Sequence, residues 1–199
     1  MDTIEKDVYV AYHGNSAAYI AMDEYDISRI STGFLIKSNN TVFGSNGFHQ
    51  KAVLQTDFHW QMQELKVDVE SLNIEMLASI NHGKLYLQQK QANENFEKII
   101  DLQHEKHFFL YSGALVIPMI WMRGFDFDNY EKVTYQMLPM GYAEVKQLCD
   151  PDSGQGIRHF SIMIYLQSFV DIIKAQTDMF GKLLYYYSET NQITIKIQS

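Results

Sequence analysis

The stretch Gln63-Glu64-Leu65-Lys66-Val67-Asp68-Val69-Glu70 decides the fold class, because apolar and charged residues alternate in it from Leu65 onward. Successive side chains of a β-strand point to opposite faces of a sheet, so Leu65, Val67 and Val69 are predicted to share one face. The charged residues between them then share the other face. This pattern is typical of an antiparallel sheet with one buried and one solvated side.

Similar strand-like runs extend outward from this stretch over residues 8–102, and each ends at a cluster of Gly, Asn, Asp or Ser residues. Gly and Asn tolerate the positive φ of tight reversals, so these clusters predict turns between consecutive strands. The predicted turns are His13-Gly14-Asn15-Ser16, Ser38-Asn39-Asn40, Gly44-Ser45-Asn46-Gly47, Asn81-His82-Gly83 and Gln91-Ala92-Asn93-Glu94-Asn95. Consecutive hairpins indicate an antiparallel meander. Inspection reveals no internal repeat of fixed period.

A second block of strands is predicted over residues 131–197. Its runs cover residues 131–140, 142–148, 158–166, 168–177, 182–187 and 192–197, the last with strict alternation in Ile193-Thr194-Ile195-Lys196-Ile197. The order of elements does not suggest βαβ units. A sheet of so many strands is expected to curl into a half-barrel or barrel.

Between the two blocks lies the apolar segment Gly113-Ala114-Leu115-Val116-Ile117-Pro118-Met119-Ile120-Trp121-Met122. A membrane-spanning helix needs about 20 apolar residues, so this shorter run is predicted to be buried inside the protein. We expect it to form a helix over 112–124 in the hollow of the sheet. The prediction is therefore a single, mainly β domain over residues 1–199, a long antiparallel meander curved around one buried apolar helix.

Composition and termini exclude several classes of partner. The chain of 199 residues carries a formal net charge of −8 and no local Lys/Arg cluster, so nucleic acid is not an expected partner. Cys149 is the only cysteine, which excludes an intramolecular disulfide. The start, Met1 to Asp7, carries no secretion signal. As written, the sequence predicts the cytoplasm, or the periplasm or cell envelope if Met1 replaces a removed signal.

The layout resembles that of the LolA/LolB superfamily and of bacterial families related to it, one described as glycolipid-binding and others uncharacterised. The resemblance is carried by the apolar segment Leu110 to Arg123, by the following strand Lys132 to Pro139, and by the terminal hairpin from Gly181 to Tyr187 and Ile193 to Ile197. It implies a half-barrel closed by helices that binds or carries lipids or lipoproteins.

Local motifs of catalysis or metal binding are not found. His104 and His107 have no third convergent ligand nearby, which argues against a zinc site. The loop from Asp126 has Glu131 where a calcium loop of the EF-hand type requires Gly, so no metal is predicted. Nucleophile elbows and phosphate-binding glycine loops are also missing, and no cofactor is implied.

The recurring Met and aromatic residues have two interpretations, a solid core or the lining of a ligand pocket. The favoured function is non-catalytic binding or carriage of a hydrophobic or lipid-like ligand on the concave face of the sheet. The predicted lining residues are Trp60, Met119, Ile120, Trp121, Met122, Met137 and Tyr165, with Arg123 and Arg158 at the rim. Two alternatives stay open: a solid-core interaction protein that pairs through a sheet edge, including as a homodimer, and an enzyme of unknown class at the barrel mouth.

Overall fold

The computed structural model describes residues 2–14, 16, 18–92, 94–103, 107–109, 120–124, 133–138, 141–148, 156–166 and 169–198. The strands in this part of the chain are β1 (Asp2–His13), β2 (Tyr19–Ile30), β3 (Gly33–Val42), β4 (Phe48–Thr56), β5 (Met62–Val69), β6 (Ile74–Asn81), β7 (Lys84–Gln91), β8 (Glu94–Asp101), β9 (His107–Phe109), β10 (Val133–Leu138), β11 (Tyr142–Leu148), β12 (Arg158–Leu166), β13 (Phe169–Thr177), β14 (Leu183–Ser188) and β15 (Ile193–Ile197). Two short 3₁₀ turns, Glu70–Leu72 and Trp121–Gly124, complete the described elements.

All fifteen strands belong to one sheet, in the order β8-β7-β6-β5-β4-β3-β2-β1-β15-β14-β13-β12-β11-β10-β9. Neighbours pair antiparallel, except that β9 and β10 run parallel. The prediction of a mainly antiparallel β protein is therefore confirmed. The alternation in β5 is confirmed as well, because Leu65, Val67 and Val69 are all buried.

The two outermost strands are consecutive in the chain, and this forces the sheet to curl. In a flat sheet, β8 and β9 would lie roughly 65–70 Å apart at the usual strand spacing. The chain from Asp101 to His107 can span only about 22 Å. Gln136 of β10 ties the far edge to the end of β8, because its Oε1 accepts a hydrogen bond from the backbone N–H of Gln103 at 2.6 Å.

The buried helix predicted over 112–124 is not supported. Residues 112–119 lie outside the described residues, Ile120 is the one described residue with α-helical geometry, and Trp121–Gly124 is a 3₁₀ turn. The described end of the segment is nevertheless buried, since Ile120 and Met122 are 5% and 0% exposed.

The predicted turn at Ser38-Asn39-Asn40 is wrong, because these residues lie inside β3. The register pairs Asn40 with Asp23 of β2 and with Gln50 of β4, so β3 is hydrogen-bonded on both sides. Two complete ladders satisfy the backbone groups that a turn would otherwise satisfy, and they override the local turn preference of Ser and Asn.

Two hairpin turns that lie far apart in the chain have the same internal geometry. In each, an aspartate carboxylate (Asp57 after β4, Asp178 after β13) accepts hydrogen bonds from the backbone N–H groups two and four residues later, at 2.8 and 2.9 Å. The residue three positions after each aspartate has a positive φ, +63° at Trp60 and +79° at Gly181. Inspection of the sequence missed this duplication because few of the residues in the two turns are identical.

We expect Asp57→Ala and Asp178→Ala each to lower the free energy of unfolding by about 1–2 kcal/mol, because two backbone donors lose their acceptor. The two losses should add, since the turns share no partner. Urea denaturation of the single and double variants measures both effects. Asp2→Ala, at an exposed position, is the control and should change stability by less than about 0.5 kcal/mol. Unchanged stability in both single variants would show that water replaces the carboxylates without loss.

Candidate functional site

The candidate site is the inner face of the curled sheet, whose central part is apolar. Buried side chains on this face include Ile36, Leu54, Leu65, Val67, Met76 and Ala78. They belong to four adjacent strands, β3 to β6, so they form a continuous apolar wall. Covering such a wall is favourable because it removes apolar surface from water, whether the covering group belongs to the protein or to an apolar ligand.

The 3₁₀ turn Trp121–Gly124 closes one end of this face by lying against the turn between β4 and β5. A Cβ atom added at Gly124 would lie 2.6 Å from the carbonyl oxygen of His59. Only a glycine permits so close a backbone approach. Met122, two residues earlier, is fully buried. Arg123 lies between these two anchored residues, so its position is fixed.

Arg123 forms a largely buried ion pair with Glu5 of β1. Its Nη2 lies 2.6 Å from Glu5 Oε1 and 2.8 Å from Oε2, and the side chains are 8% and 17% exposed. The hydroxyl of Tyr25 donates a second hydrogen bond to Glu5 Oε1 at 2.6 Å. The carboxylate thus accepts from a guanidinium and a phenol in surroundings that exclude most water.

The same guanidinium lies over an aromatic pair. Arg123 Cζ is 5.2 Å from the centre of the Trp60 ring, within the range of a cation–π contact. Trp60 in turn stacks flat on Phe34 of β3, with ring centres 3.9 Å apart and an interplanar angle of 6°. An apolar stack and a buried cation therefore meet at this end of the inner face.

A second cation lies on the other side of Glu5. Lys182 Nζ donates to Asp7 Oδ2 at 2.6 Å and lies 3.8 Å from Glu5 Oε1. Burial raises the pKa of Tyr25 above its ordinary value, and the adjacent Tyr9 and the hydrogen bond to Glu5 raise it further. Burial likewise raises the pKa of Tyr9, whose ring stacks on that of Tyr25. Both phenols therefore remain protonated donors at neutral pH.

A row of polar side chains crosses the inner face beyond this ion cluster. Asp23, Asn40 and Gln50 are aligned across β2, β3 and β4, and they are 0%, 0% and 1% exposed. Ser38, also buried, donates a hydrogen bond to Asp23 Oδ1 at 2.6 Å. We call Asp23, Asn40 and Gln50 the polar row. It interrupts a face that is otherwise largely apolar.

Several of the residues predicted to line or rim a pocket lie at the closed end of the inner face. These are Trp60, Ile120, Met122 and Arg123. Arg158 opens β12 opposite Thr177, next to the second duplicated turn. Tyr165 alternates with the buried Ile164 and lies on the outer face, where its ring stacks on Tyr142 at 4.5 Å.

Other predicted positions lie outside what the structure describes. Met119 is outside the described residues, and the side chains of Trp121 and Met137 are not described. The loop from Asp126, for which no metal was predicted, and the lone Cys149 also fall outside them. No group of three or more His, Cys, Asp or Glu side chains in the described ranges could hold a metal ion.

Sequence reasoning missed Glu5, Asp7, Lys182 and the polar row. Glu5 and Asp7 resemble an ordinary charged N-terminus, and only the register of β1 beside β2 places them next to Tyr25. The one available signal was the run Ser38-Asn39-Asn40, in which turn-forming residues stand where an uninterrupted strand would carry apolar ones. Among the described elements, no helix has the length and apolarity to span a bilayer.

Curvature, a single sheet and one closed end define a barrel-like β protein, and comparison with solved structures agrees. A β-barrel-like protein of the domain of unknown function DUF1849 from Brucella abortus superposes with a TM-score of 0.57 at 10% identity, over 97% of this chain and 94% of that one. A DUF1089 family protein from Pseudomonas aeruginosa superposes with a TM-score of 0.50 at 9% identity, over 87% and 90% of the two chains. At such identities the likeness concerns the fold alone.

No protein-family model matches the sequence. A search of curated proteins likewise finds no match.

Proposed function

We propose that this protein binds a hydrophobic or lipid-like ligand on the concave face of its sheet without transforming it chemically. The observation that carries the proposal is the width of the curled sheet. Side chains just fill the interior of an eight-stranded barrel, whereas this sheet has fifteen strands. A curled sheet of that width encloses more space than the side chains of its strands fill, and the buried Ile120 and Met122 occupy part of that space.

The chemistry of the inner face suits an amphiphile. The apolar wall offers contact to an acyl chain, and the Trp60–Phe34 stack with Arg123 lies at one end of it. Ligand pockets are commonly apolar with a few placed polar groups. The sequence resemblance to the LolA/LolB superfamily supports the same proposal, and the barrel-like fold neighbours support the curved fold that it requires.

Trp60 provides a reporter for acyl-chain binding. The chain has two tryptophans, so Trp121→Phe leaves Trp60 as the only one. We expect a fatty acid or a monoacylglycerol brominated along its chain to quench Trp60 fluorescence saturably, because bromine quenches an indole only in near contact. Native mass spectrometry of the same sample should show a one-to-one adduct.

Phe180 supplies the control for this experiment. It lies in the second duplicated turn and is 81% exposed. Phe180→Leu should leave the quenching unchanged, whereas Phe34→Leu, which removes the ring stacked on Trp60, should weaken ligand uptake several-fold. A clean unliganded mass together with unquenched Trp60 fluorescence would reject the proposal.

The sheet edge favours a second candidate function, pairing with a partner or a second copy. Strand β8 is an edge of the sheet and carries Phe96 and Ile99, which are 52% and 62% exposed. Exposed edge strands are templates for pairing. A dimer mass that disappears in Ile99→Lys would support this candidate, and a monomer at all concentrations would reject it.

A further inference from the structure

Two carboxamide side chains on the inner face are buried without hydrogen-bond partners. For both Asn40 and Gln50, the side-chain nitrogen and oxygen are inaccessible to solvent and meet no partner among the described residues. Buried polar groups are nearly always paired, and each exception costs about 1–3 kcal/mol. Two such unpaired side chains on neighbouring strands therefore lower the stability of the folded protein substantially.

The duplicated hairpin shows that this fold can satisfy a polar group at the same place. Asp171 lies six residues before its Thr-Asp turn, just as Gln50 does. Its carboxylate accepts hydrogen bonds from Ser188 Oγ at 2.9 and 2.8 Å and from Asn191 Nδ2 at 3.1 Å. The residue of β5 that corresponds to Ser188 is Val67, which offers Gln50 no polar atom. The amide groups of Asn40 and Gln50 thus lack hydrogen bonds, whereas the corresponding side chain of the other hairpin, Asp171, is fully hydrogen-bonded.

We propose that the polar row is the headgroup subsite of the amphiphile site, and that it recognises an uncharged headgroup bearing hydroxyl groups. This inference rests on the proposed function, since the apolar wall beside the row would hold the ligand's chain. The free groups are two amide nitrogens, which donate, and two amide oxygens, which accept. A hydroxyl both donates and accepts, so adjacent hydroxyls match adjacent carboxamides.

The charge of the row disfavours ionic headgroups. An anionic phosphate or carboxylate would lie beside the buried Asp23 carboxylate, at a cost that a low dielectric increases. A quaternary ammonium headgroup neither donates nor accepts hydrogen bonds, so it would leave all four amide atoms unpaired. Arg123 and Lys182, the two cations of the ion cluster, are already engaged by Glu5 and Asp7.

Since the amide atoms are covered in this structure, the ligand must displace the side chains over them. The hydrogen bonds that the ligand then makes offset the cost of this rearrangement. Replacing the amides with apolar groups of similar shape should therefore stabilise the free protein while it weakens binding, a combination typical of binding sites.

The test measures the affinity of the delipidated full chain for three probes with the same sixteen-carbon chain: monopalmitoylglycerol, palmitate and hexadecyltrimethylammonium. We expect monopalmitoylglycerol to bind at least about 10-fold more tightly than the other two. Asn40→Leu and Gln50→Met should each remove about 10-fold of that affinity and change palmitate binding less than twofold. Asn39→Leu, at the exposed position next to Asn40, is the control and should change neither.

Thermal unfolding of the same variants gives an independent readout. Asn40→Leu and Gln50→Met should each raise Tm by about 2–6 °C, because each removes an unsatisfied buried amide. A lower Tm with unchanged ligand affinity would overturn the inference, since the amides would then be structural. Equal binding of all three probes would also overturn it and leave the proposed function standing. If none of the probes binds, the proposed function itself fails.

Discussion

Replacing Arg123 with Met is expected to lower the free energy of unfolding by about 3–5 kcal/mol, because it leaves a buried carboxylate without its main counter-ion. Glu5 is 17% exposed and would retain the Tyr25 hydroxyl and the more distant Lys182 ammonium. Neither replaces the two short contacts of the guanidinium. Met fills a similar volume, so the loss should come from charge rather than from a cavity. Urea denaturation measures it.

The double variant Glu5→Gln/Arg123→Met tests this explanation. Once both charges are removed, we expect at least half of the lost stability to return, since the penalty belongs to the unpaired ion and not to the missing contact. The exposed pair Lys51–Glu70, whose side chains are 54% and 66% exposed, is the control. Lys51→Met should lower stability far less than Arg123→Met does, because water screens the exposed pair. Equal losses in Arg123→Met and Lys51→Met would contradict the burial of the Glu5–Arg123 pair.

This pair also explains the position of the described end of the apolar segment, from Ile120 to Gly124. Arg123 follows the buried Met122 directly, so its ion pair with Glu5 and its contact with Trp60 hold the end of the segment against β1 and the β4–β5 turn. Sequence analysis placed the segment inside the sheet on hydropathy alone. Hydropathy cannot find the partner of Arg123, since Glu5 lies more than a hundred residues away.

The strands were predictable wherever period-two alternation meets clear turn residues. The runs predicted over 142–148 and 158–166 match β11 and β12. The turn predicted at Ser38 was wrong, because turn preference is a local property of the sequence, whereas strand pairing depends on residues far away in the chain. Ser and Asn satisfy the backbone by local side-chain hydrogen bonds only when no ladder does so. In β3 they lie between two paired strands, and their buried side chains form part of the candidate site.

Such a failure is informative about function. A sequence specifies its fold when local preference and tertiary context agree, and disagreement concentrates where a protein retains residues for another purpose. Ser38 and Asn40 are polar residues that favour turns, although they are buried in a strand. Ile36, on the same face, is apolar and favours strands. Asn40 thus belongs to the proposed headgroup subsite, and Ser38 donates a hydrogen bond to Asp23 of the same subsite.

Gly33→Ala is expected to cost about 3–5 kcal/mol, the sum of backbone strain and overpacking. Gly33 opens β3 with a φ of +150°, and a Cβ there would lie 2.0 Å from the carbonyl oxygen of Thr56 and 2.6 Å from Asp57 Cα. Both are backbone atoms at the start of the first duplicated turn, so they cannot rotate away as a flexible side chain would. The methyl group must push β3 and this turn apart.

Gly83→Ala separates the two contributions. Gly83 also has a positive φ, +70°, but nothing lies within 4 Å of the added Cβ. It should therefore cost only the conformational part, about 1–2 kcal/mol. Because Phe34 follows Gly33 and stacks on Trp60, Gly33→Ala should also shift Trp60 fluorescence in the Trp121→Phe background, whereas Gly83→Ala should not. Equal losses of stability for the two variants would mean that the Asp57 turn moves to accommodate the methyl group. The end of the inner face closed by Trp60 and Arg123 would then be less rigid than its short contacts imply.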